Sequence, residues 1–224
     1  MTKIKICGVQ EVSHIIAAAK AGADFVGLVL AAESRHWLEP ERAYQMVQSF
    51  RQEWGPGGPR LVGLFTDQPL EEVQRTAQSC GLDAVQLCGS ESLDYCAQVG
   101  LPVLKVLHID DRHPEQEVVA AASERLQAVE VSGYLAMLDR YDERVRGGTG
   151  RTFNWAIARE LARQHRFLLA GGLTPENVQE AVRTVRPWGV DVSSGVETGG
   201  AKDPAKVRAF IAAVREAEGA HASP

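Results

Sequence analysis

The 224-residue sequence has few cysteines, no excess of positive charge and no long apolar run. Its four cysteines, Cys7, Cys80, Cys88 and Cys96, form no C-x-x-C pair. Their spacing suits neither a zinc site nor a secreted disulfide framework, so reduced thiols in a cytoplasmic protein are the expectation. No apolar stretch approaches the roughly 20 residues of a membrane span. Met1-Thr2-Lys3-Ile4-Lys5 goes directly into an apolar run without a signal-peptide core, which again points to the cytoplasm. With 24 Lys+Arg against 29 Asp+Glu the net charge is −5, leaving no general basic surface for nucleic acid or an anionic membrane. The six histidines, His14, His36, His108, His113, His165 and His221, show no metal-ligand spacing, and no metal is expected.

What is present is alternation. Short β-branched runs recur, each followed by a polar turn and a segment of helical period. The strands are Lys3–Cys7, Phe25–Leu30, Leu61–Phe65, Ala84–Leu87, Val103–Leu107, Tyr134–Leu138, Phe167–Ala170 and Val190–Val192. The helices are Glu11–Ala21, Glu39–Phe50, Leu70–Ser79, Ser90–Gln98, a segment within Pro114–Glu124, Trp155–Arg163, one capped at Thr174-Pro175, and Asp203–Ala217. Eight such units in a chain of this length predict a single-domain α/β fold, a (β/α)8 TIM barrel, with a doubly wound open sheet as the competitor. Gly55-Pro56-Gly57-Gly58-Pro59 is too short to divide domains, so residues 1–224 are one barrel, with a frayed tail after about 218.

In a parallel barrel, ligands meet the loops that follow the strands. Gly147-Gly148-Thr149-Gly150, Gly171-Gly172 and Ser193-Ser194-Gly195 occupy three such loops. Glycine lets backbone N–H groups approach an anion, and a following helix N-terminus adds positive potential. Gly148, Gly171, Gly172, Ser193, Ser194 and Gly195 are therefore candidate phosphate contacts; the alternative is that these glycines only make tight turns. Cys7, closing the first strand, is either a pocket thiol or a small buried hydrophobe. Asp139, closing the sixth, is either a general acid or a turn cap. Asp191 reads as structural, hydrogen-bonded to neighbouring loops. His113, His165 and His221 read as solvated surface. His108, just beyond the fifth strand, is either a loop or a pocket residue. Trp37, Trp155 and Trp188 are expected to pack helices on the barrel, with stacking on an aromatic ligand as the alternative for Trp37.

The ordered set of motifs resembles one family. It comprises Lys5-Ile6-Cys7-Gly8, Ala21-Gly22-Ala23-Asp24-Phe25-Val26-Gly27, Val62-Gly63-Leu64-Phe65, Gly81-Leu82-Asp83-Ala84-Val85-Gln86-Leu87, Leu138-Asp139 and Gly147-Gly148-Thr149-Gly150-Arg151-Thr152-Phe153. Ala170-Gly171-Gly172-Leu173-Thr174-Pro175-Glu176-Asn177-Val178 and Gly189-Val190-Asp191-Val192-Ser193-Ser194-Gly195-Val196-Glu197 complete it. From Ile4 to about Ile211 the chain is similar to the phosphoribosylanthranilate isomerases of tryptophan biosynthesis. The resemblance implies the barrel rather than the open sheet, and an Amadori rearrangement of a phosphosugar substrate without cofactor. By the same resemblance Cys7 is the base and Asp139 the acid. A monomer or homodimer is expected, with no nucleic-acid or membrane partner.

The chain departs from the family pattern in places. Where the family reads S-P-R-Y, this sequence reads Ser34-Arg35-His36-Trp37, which puts His36 in the place of a substrate-holding arginine. Arg35, one residue away, is expected to turn into the pocket instead, because a guanidinium matches the substrate carboxylate with two hydrogen bonds. Cys88 stands for the histidine of V-Q-L-H-G, Asn154 for the aspartate of F-D-W, and Val9-Gln10 for a usual threonine or serine. Such changes suit a divergent isomerase, an isomerase of a different phosphosugar amine, or a phosphosugar-binding relative without turnover.

Overall fold

A computed structural model describes residues 1–140 and 154–219. The Gly147–Gly150 loop with Gly148, the Arg151-Thr152-Phe153 motif, His221 and the expected frayed end beyond Gly219 lie outside them. Eight parallel strands close into a barrel in sequence order: β1 (Lys3–Cys7), β2 (Phe25–Val29), β3 (Arg60–Phe65), β4 (Ala84–Leu87), β5 (Val103–Ile109), β6 (Leu135–Arg140), β7 (Phe167–Leu169) and β8 (Gly189–Val192). Between them run helices α1 (Val12–Ala21), α2 (Pro40–Trp54), α3 (Leu70–Cys80), α4 (Leu93–Gln98), α5 (Glu115–Val131), α6 (Trp155–Ala162) and α7 (Val178–Val185), and α8 (Pro204–Gly219) follows β8. After β8 come a 3-10 turn, Ser194–Val196, and a hairpin of β9 (Glu197–Thr198) and β10 (Ala201–Lys202). None of the described helices is long and apolar enough to cross a membrane.

Strand period divides the core in two. Ile4 and Ile6 of β1, Val190 and Val192 of β8 and their equivalents face outward against the helices. Phe25, Val62, Ala84, Leu104, Val106, Met137, Leu168 and Ala170 face inward and fill the barrel. Trp188 packs on Phe25 with ring centroids 6.2 Å apart, and the Arg166 guanidinium lies 4.2 Å from the Trp188 ring. Both aromatics sit where their strands begin, so Trp188 closes the base of the barrel rather than packing a helix. Trp155 does pack, half-buried, against the outer core, whereas Trp37 is 43% exposed.

Three differences from the sequence reading have local causes. Helix α4 begins at Leu93 instead of Ser90, with Ser92 Oγ accepting from the Tyr95 N–H at 3.1 Å. Ser90 is held by the Asp67 carboxylate, and Glu91 turns inward to Lys105, so neither joins the helix. Helix α7 begins at Val178, because Asn177 Oδ1 accepts from the Thr174 N–H and its amide donates to the Gly172 carbonyl, closing a turn first. His165 is not solvated: its ring, 8% exposed, lies between Ser123 Oγ at 2.7 Å and Glu130 Oε2 at 2.9 Å.

The β4–α4 loop hangs on one buried pair. Lys105 Nζ meets Glu91 Oε2 at 2.6 Å, with side chains 8% and 2% exposed. Glu91 also accepts from the Asp67 and Gly89 N–H groups. Removing one member of such a pair strands the other charge. Lys105→Met is expected to lower unfolding stability by about 3–5 kcal/mol in denaturant titration; a loss below about 1 kcal/mol would show that the pair does not hold the loop.

Candidate active site

Residues two apart on a strand share a face, so β1 sends both Lys5 and Cys7 into the barrel. The β1–β8 register sets Lys5 beside Asp191, and Lys5 Nζ meets Asp191 Oδ1 at 2.7 Å with the lysine side chain fully buried. Asp191 thus pairs with a barrel lysine, not with the neighbouring loops. Across the β1–β2 register Cys7 faces Gly27, where a Cβ would sit 2.9 Å from Cys7 Sγ and 3.2 Å from Lys5 Nζ. Only glycine leaves space for both. From β5 and β6, His108 and Asp139 stand side by side in register. Both strands run further than the sequence pattern indicates, so His108 lies within β5 and not in the loop beyond it. Cys88, just past β4, packs with Cys7, Val29 and Leu64.

These groups set one another's protons. Burial pushes the Cys7 thiol above its usual value, and the Lys5 ammonium only partly offsets this, with Asp191 acting against it. Burial likewise acts to strip Lys5 of its proton, but Asp191 and Cys7 together hold the ammonium above the ordinary lysine range. Asp139 keeps some surface open to the barrel mouth, yet loss of hydration lifts its carboxyl to about 6. The charge of His108 and the Arg140 N–H, 2.8 Å from Asp139 Oδ1, restrain that rise, and Asp191 adds to it. The Cys88 thiol is pushed up to about 12 by its crowded surroundings, despite a contact from the Gln86 amide at 3.3 Å. Cys88 is therefore an inert thiol beside the mouth. Among the described residues no group of three His, Cys, Asp or Glu side chains is placed to hold a metal ion.

The loops after β7 and β8 pack tightly together. Gly171 and Gly172 have φ of 91° and 66°, and a Cβ on Gly171 would lie 3.1 Å from Asp139 Oδ1. A Cβ on Gly195 would fall 1.9 Å from the Leu173 carbonyl oxygen, so the two loops meet only because residue 195 is glycine. Ser193 and Ser194 are half-buried between these loops and the hairpin, and the Ser193 hydroxyl and carbonyl accept from Lys202 Nζ.

Residues 4–213 match the model of the N-(5'phosphoribosyl)anthranilate (PRA) isomerase family. The chain is 42% identical over 221 residues to the N-(5'-phosphoribosyl)anthranilate isomerase of Dehalococcoides mccartyi, covering 98% of each chain. It is 44% identical over 212 residues to that of Geotalea uraniireducens, covering 94% of this chain and 97% of the other. The chain belongs to the N-(5'-phosphoribosyl)anthranilate isomerase family. Among solved structures, the Thermotoga maritima phosphoribosyl anthranilate isomerase superposes with a TM-score of 0.81 at 29% identity, over 96% of this chain and 100% of that one. A phosphoribosyl anthranilate isomerase in complex with reduced 1-(o-carboxyphenylamino)-1-deoxyribulose 5-phosphate superposes with a TM-score of 0.77 at 28% identity, over 96% and 100% of the two chains.

Against the family pattern, the second loop runs contrary to expectation. Arg35 does not turn inward: it is 58% exposed, and its guanidinium holds Glu197 Oε2 at 2.9 Å. His36 is the residue that faces the barrel, its ring 3.2–3.3 Å from the position a Cβ on Gly8 would take. Its Nε2 lies 2.9 Å from Glu197 Oε1 without the geometry of a hydrogen bond. Burial first, then the Lys202 charge, lowers the His36 pKa and keeps the ring neutral near pH 7. Glu197 also ion-pairs with Lys202, and these partners lower its pKa despite burial. One carboxylate therefore fastens the second loop to the eighth, which is why Arg35 is drawn sideways. Asn154, in place of the family aspartate, caps α6 by accepting from the Ala156 N–H at 3.0 Å.

Lys5, Glu197 and Lys202 were not singled out by sequence reasoning. Lys5 left a signal, a lysine between two isoleucines and two positions before Cys7 on the same strand face. Glu197 and Lys202 left none, because strands of two residues have no readable period. The raised, buried Cys7 thiol has a direct consequence, since only the thiolate is nucleophilic. Iodoacetamide at pH 7.5, read by peptide mass mapping, should modify Cys7 at least about tenfold more slowly than free cysteine. Modification at the rate of free cysteine or faster would show a resting thiolate instead.

Proposed function

We propose that this chain catalyses the Amadori rearrangement of N-(5'-phosphoribosyl)anthranilate to 1-(2-carboxyphenylamino)-1-deoxyribulose 5-phosphate, a step of tryptophan biosynthesis, as a cofactor-independent aldose–ketose isomerase. Family membership supports the reaction, and the observation that carries the site assignment is the Asp139 carboxyl, lifted to about 6 in the same barrel mouth as Cys7. The rearrangement needs an acid to protonate the ring oxygen and open the furanose. It also needs a base to take the C2 proton of the resulting iminium. Asp139 is the acid and Cys7 the base.

The resting ionisation is the reverse of the working one. With Asp139 at about 6 and the Cys7 thiol above its usual value, neutral pH leaves the carboxylate charged and the thiol protonated. The working state has one proton moved from Cys7 to Asp139. The population of that state rises with pH up to the Asp139 value, stays level, and falls as pH passes the Cys7 value. The substrate helps the exchange, because a cationic iminium beside Cys7 favours the thiolate.

Gly171, Gly172, Ser193, Ser194, Gly195 and, outside the described residues, Gly148 would hold the phosphate. Support comes from the close packing of the loops after β7 and β8, the usual phosphate position of this fold. Arg35 and His36 then border the anthranilate end, Arg35 held on the rim by Glu197 and His36 facing the barrel. The protein works as a monomer or homodimer in the cytoplasm; a dimeric phosphoribosylanthranilate isomerase is known from Thermotoga maritima.

Turnover of purified protein on N-(5'-phosphoribosyl)anthranilate tests this reading. Cys7→Ala and Asp139→Asn are each expected to lower kcat by about a hundredfold or more with folding intact. Arg35→Ala should raise KM by less than about fivefold, because its guanidinium is held by Glu197 outside the pocket. Near-normal turnover in either of the first two variants removes that residue from its role, and a wild type that does not turn over this substrate sinks the assignment.

A further inference from the structure

The hairpin that follows β8 is set by its turn. Gly199 and Gly200 join its two strands with φ of 60° and 85°, both in the left-handed region that a two-residue hairpin turn needs. The register that results places Glu197 opposite Lys202. The hairpin is tied to α8 as well, the Glu197 carbonyl accepting from Lys206 Nζ at 2.6 Å and the Val196 carbonyl from the Asp203 N–H at 2.9 Å. Lys202 is thereby carried against the loop after β8, where it is only 5% exposed.

A buried ammonium has three hydrogens to place. Lys202 gives them to Glu197 Oε1, to the Ser193 carbonyl at 3.1 Å and to the Ser193 hydroxyl at 3.3 Å. The Ser193 carbonyl also accepts from the Val196 N–H, which closes the 3-10 turn. Because the Ser193 hydroxyl oxygen takes a hydrogen from Lys202, its own hydrogen is left to donate elsewhere. Ser193 Oγ also lies 3.1 Å from where a Cβ on Gly8 would stand, and Gly8 directly follows Cys7. One cation therefore orients the serine of the loop and stands close to the end of β1.

We propose that Lys202 is a positioning residue with two roles: it fixes Ser193 as a hydrogen-bond donor to the substrate phosphate, and it holds a positive charge toward Cys7. The first role follows from the three-point hold, since a serine free to turn offers the phosphate no fixed donor. The second follows from what surrounds the thiol. The charged and titratable groups around Cys7 are Lys5 of β1, Asp191 of β8 and Lys202 of β10, with Cys88 packed against the same cluster. Lys5 and Lys202 favour the thiolate, and Asp191 opposes it. Phosphate anchoring and base ionisation thus share one buried cation.

The proposal rests on the phosphate and base assignments given above, and two of its readouts need no turnover. Lys202→Met removes the cation and keeps an unbranched stem. It is expected to weaken the binding of inorganic phosphate, measured by calorimetry, by about tenfold. It should also move the midpoint of Cys7 alkylation by iodoacetamide, followed against pH, up by about half a unit or more, because a neighbouring positive charge is gone. Lys202→Arg keeps the charge, but a planar guanidinium cannot place its hydrogens on the same three acceptors. Phosphate binding should weaken in this variant too, with the alkylation midpoint unmoved. With N-(5'-phosphoribosyl)anthranilate, KM should rise about tenfold in both variants, and the basic limb of kcat/KM should shift only in Lys202→Met. Wild-type phosphate affinity in both variants overturns the first role, and an unmoved alkylation midpoint in Lys202→Met overturns the second. If Lys202→Met does not fold, Lys202→Arg decides, and wild-type phosphate affinity there overturns the proposal. Both shifts in a protein whose wild type does not turn over this substrate sink the reaction and leave the role of Lys202 standing.

Discussion

The site depends on a lysine and an aspartate buried inside the barrel. Taking both charges out of water costs several kcal/mol per ion unless each finds a close partner. The β1–β8 register supplies that partner by setting Lys5 and Asp191 side by side, 2.7 Å apart. Once the pair is in place, its two charges act on everything around it. Lys5 draws the Cys7 thiol toward ionisation, while Asp191 raises both Cys7 and Asp139. Burial sets both groups first, and the pair adjusts them in opposing directions.

The rest of the chain keeps that arrangement rigid. Outward-facing strand residues and the inner faces of the helices form one continuous apolar core, which fixes strand register. The lower barrel is filled with apolar side chains and closed by Trp188, so the polar groups collect at the end where the strands finish. Two further buried carboxylates fasten the rim: Glu91 holds the β4–α4 loop to Lys105, and Glu197 holds the second loop to the eighth. Polar groups placed at this cost in a core are expected where function needs them.

The barrel was legible because each strand–helix unit carries its own period and its own turn. The placement of Cys7 and Asp139 at the ends of their strands was legible from the strand pattern, whereas their roles came only from the resemblance. Where reading failed, the cause was a contact between distant segments. Ser90 and Glu91 look helical until Asp67 and Lys105 claim them. His165 looks solvated until α5 brings Ser123 and Glu130 to it. Arg35 looks like the inward residue on chemical grounds, but Glu197, 162 positions away, takes its guanidinium. Charge pairs between loops leave no mark on local sequence, and they decide which of two neighbouring residues faces the pocket.

The central claim is that burial at the barrel mouth, and not a contact with substrate, lifts the carboxyl of Asp139, the proposed acid, to about 6. Carbon-13 NMR titration of the Asp139 side-chain carboxyl in the unliganded protein tests it most directly. A midpoint of about 6 is the predicted result. A midpoint at or below the ordinary aspartate value of about 3.9 would contradict the account.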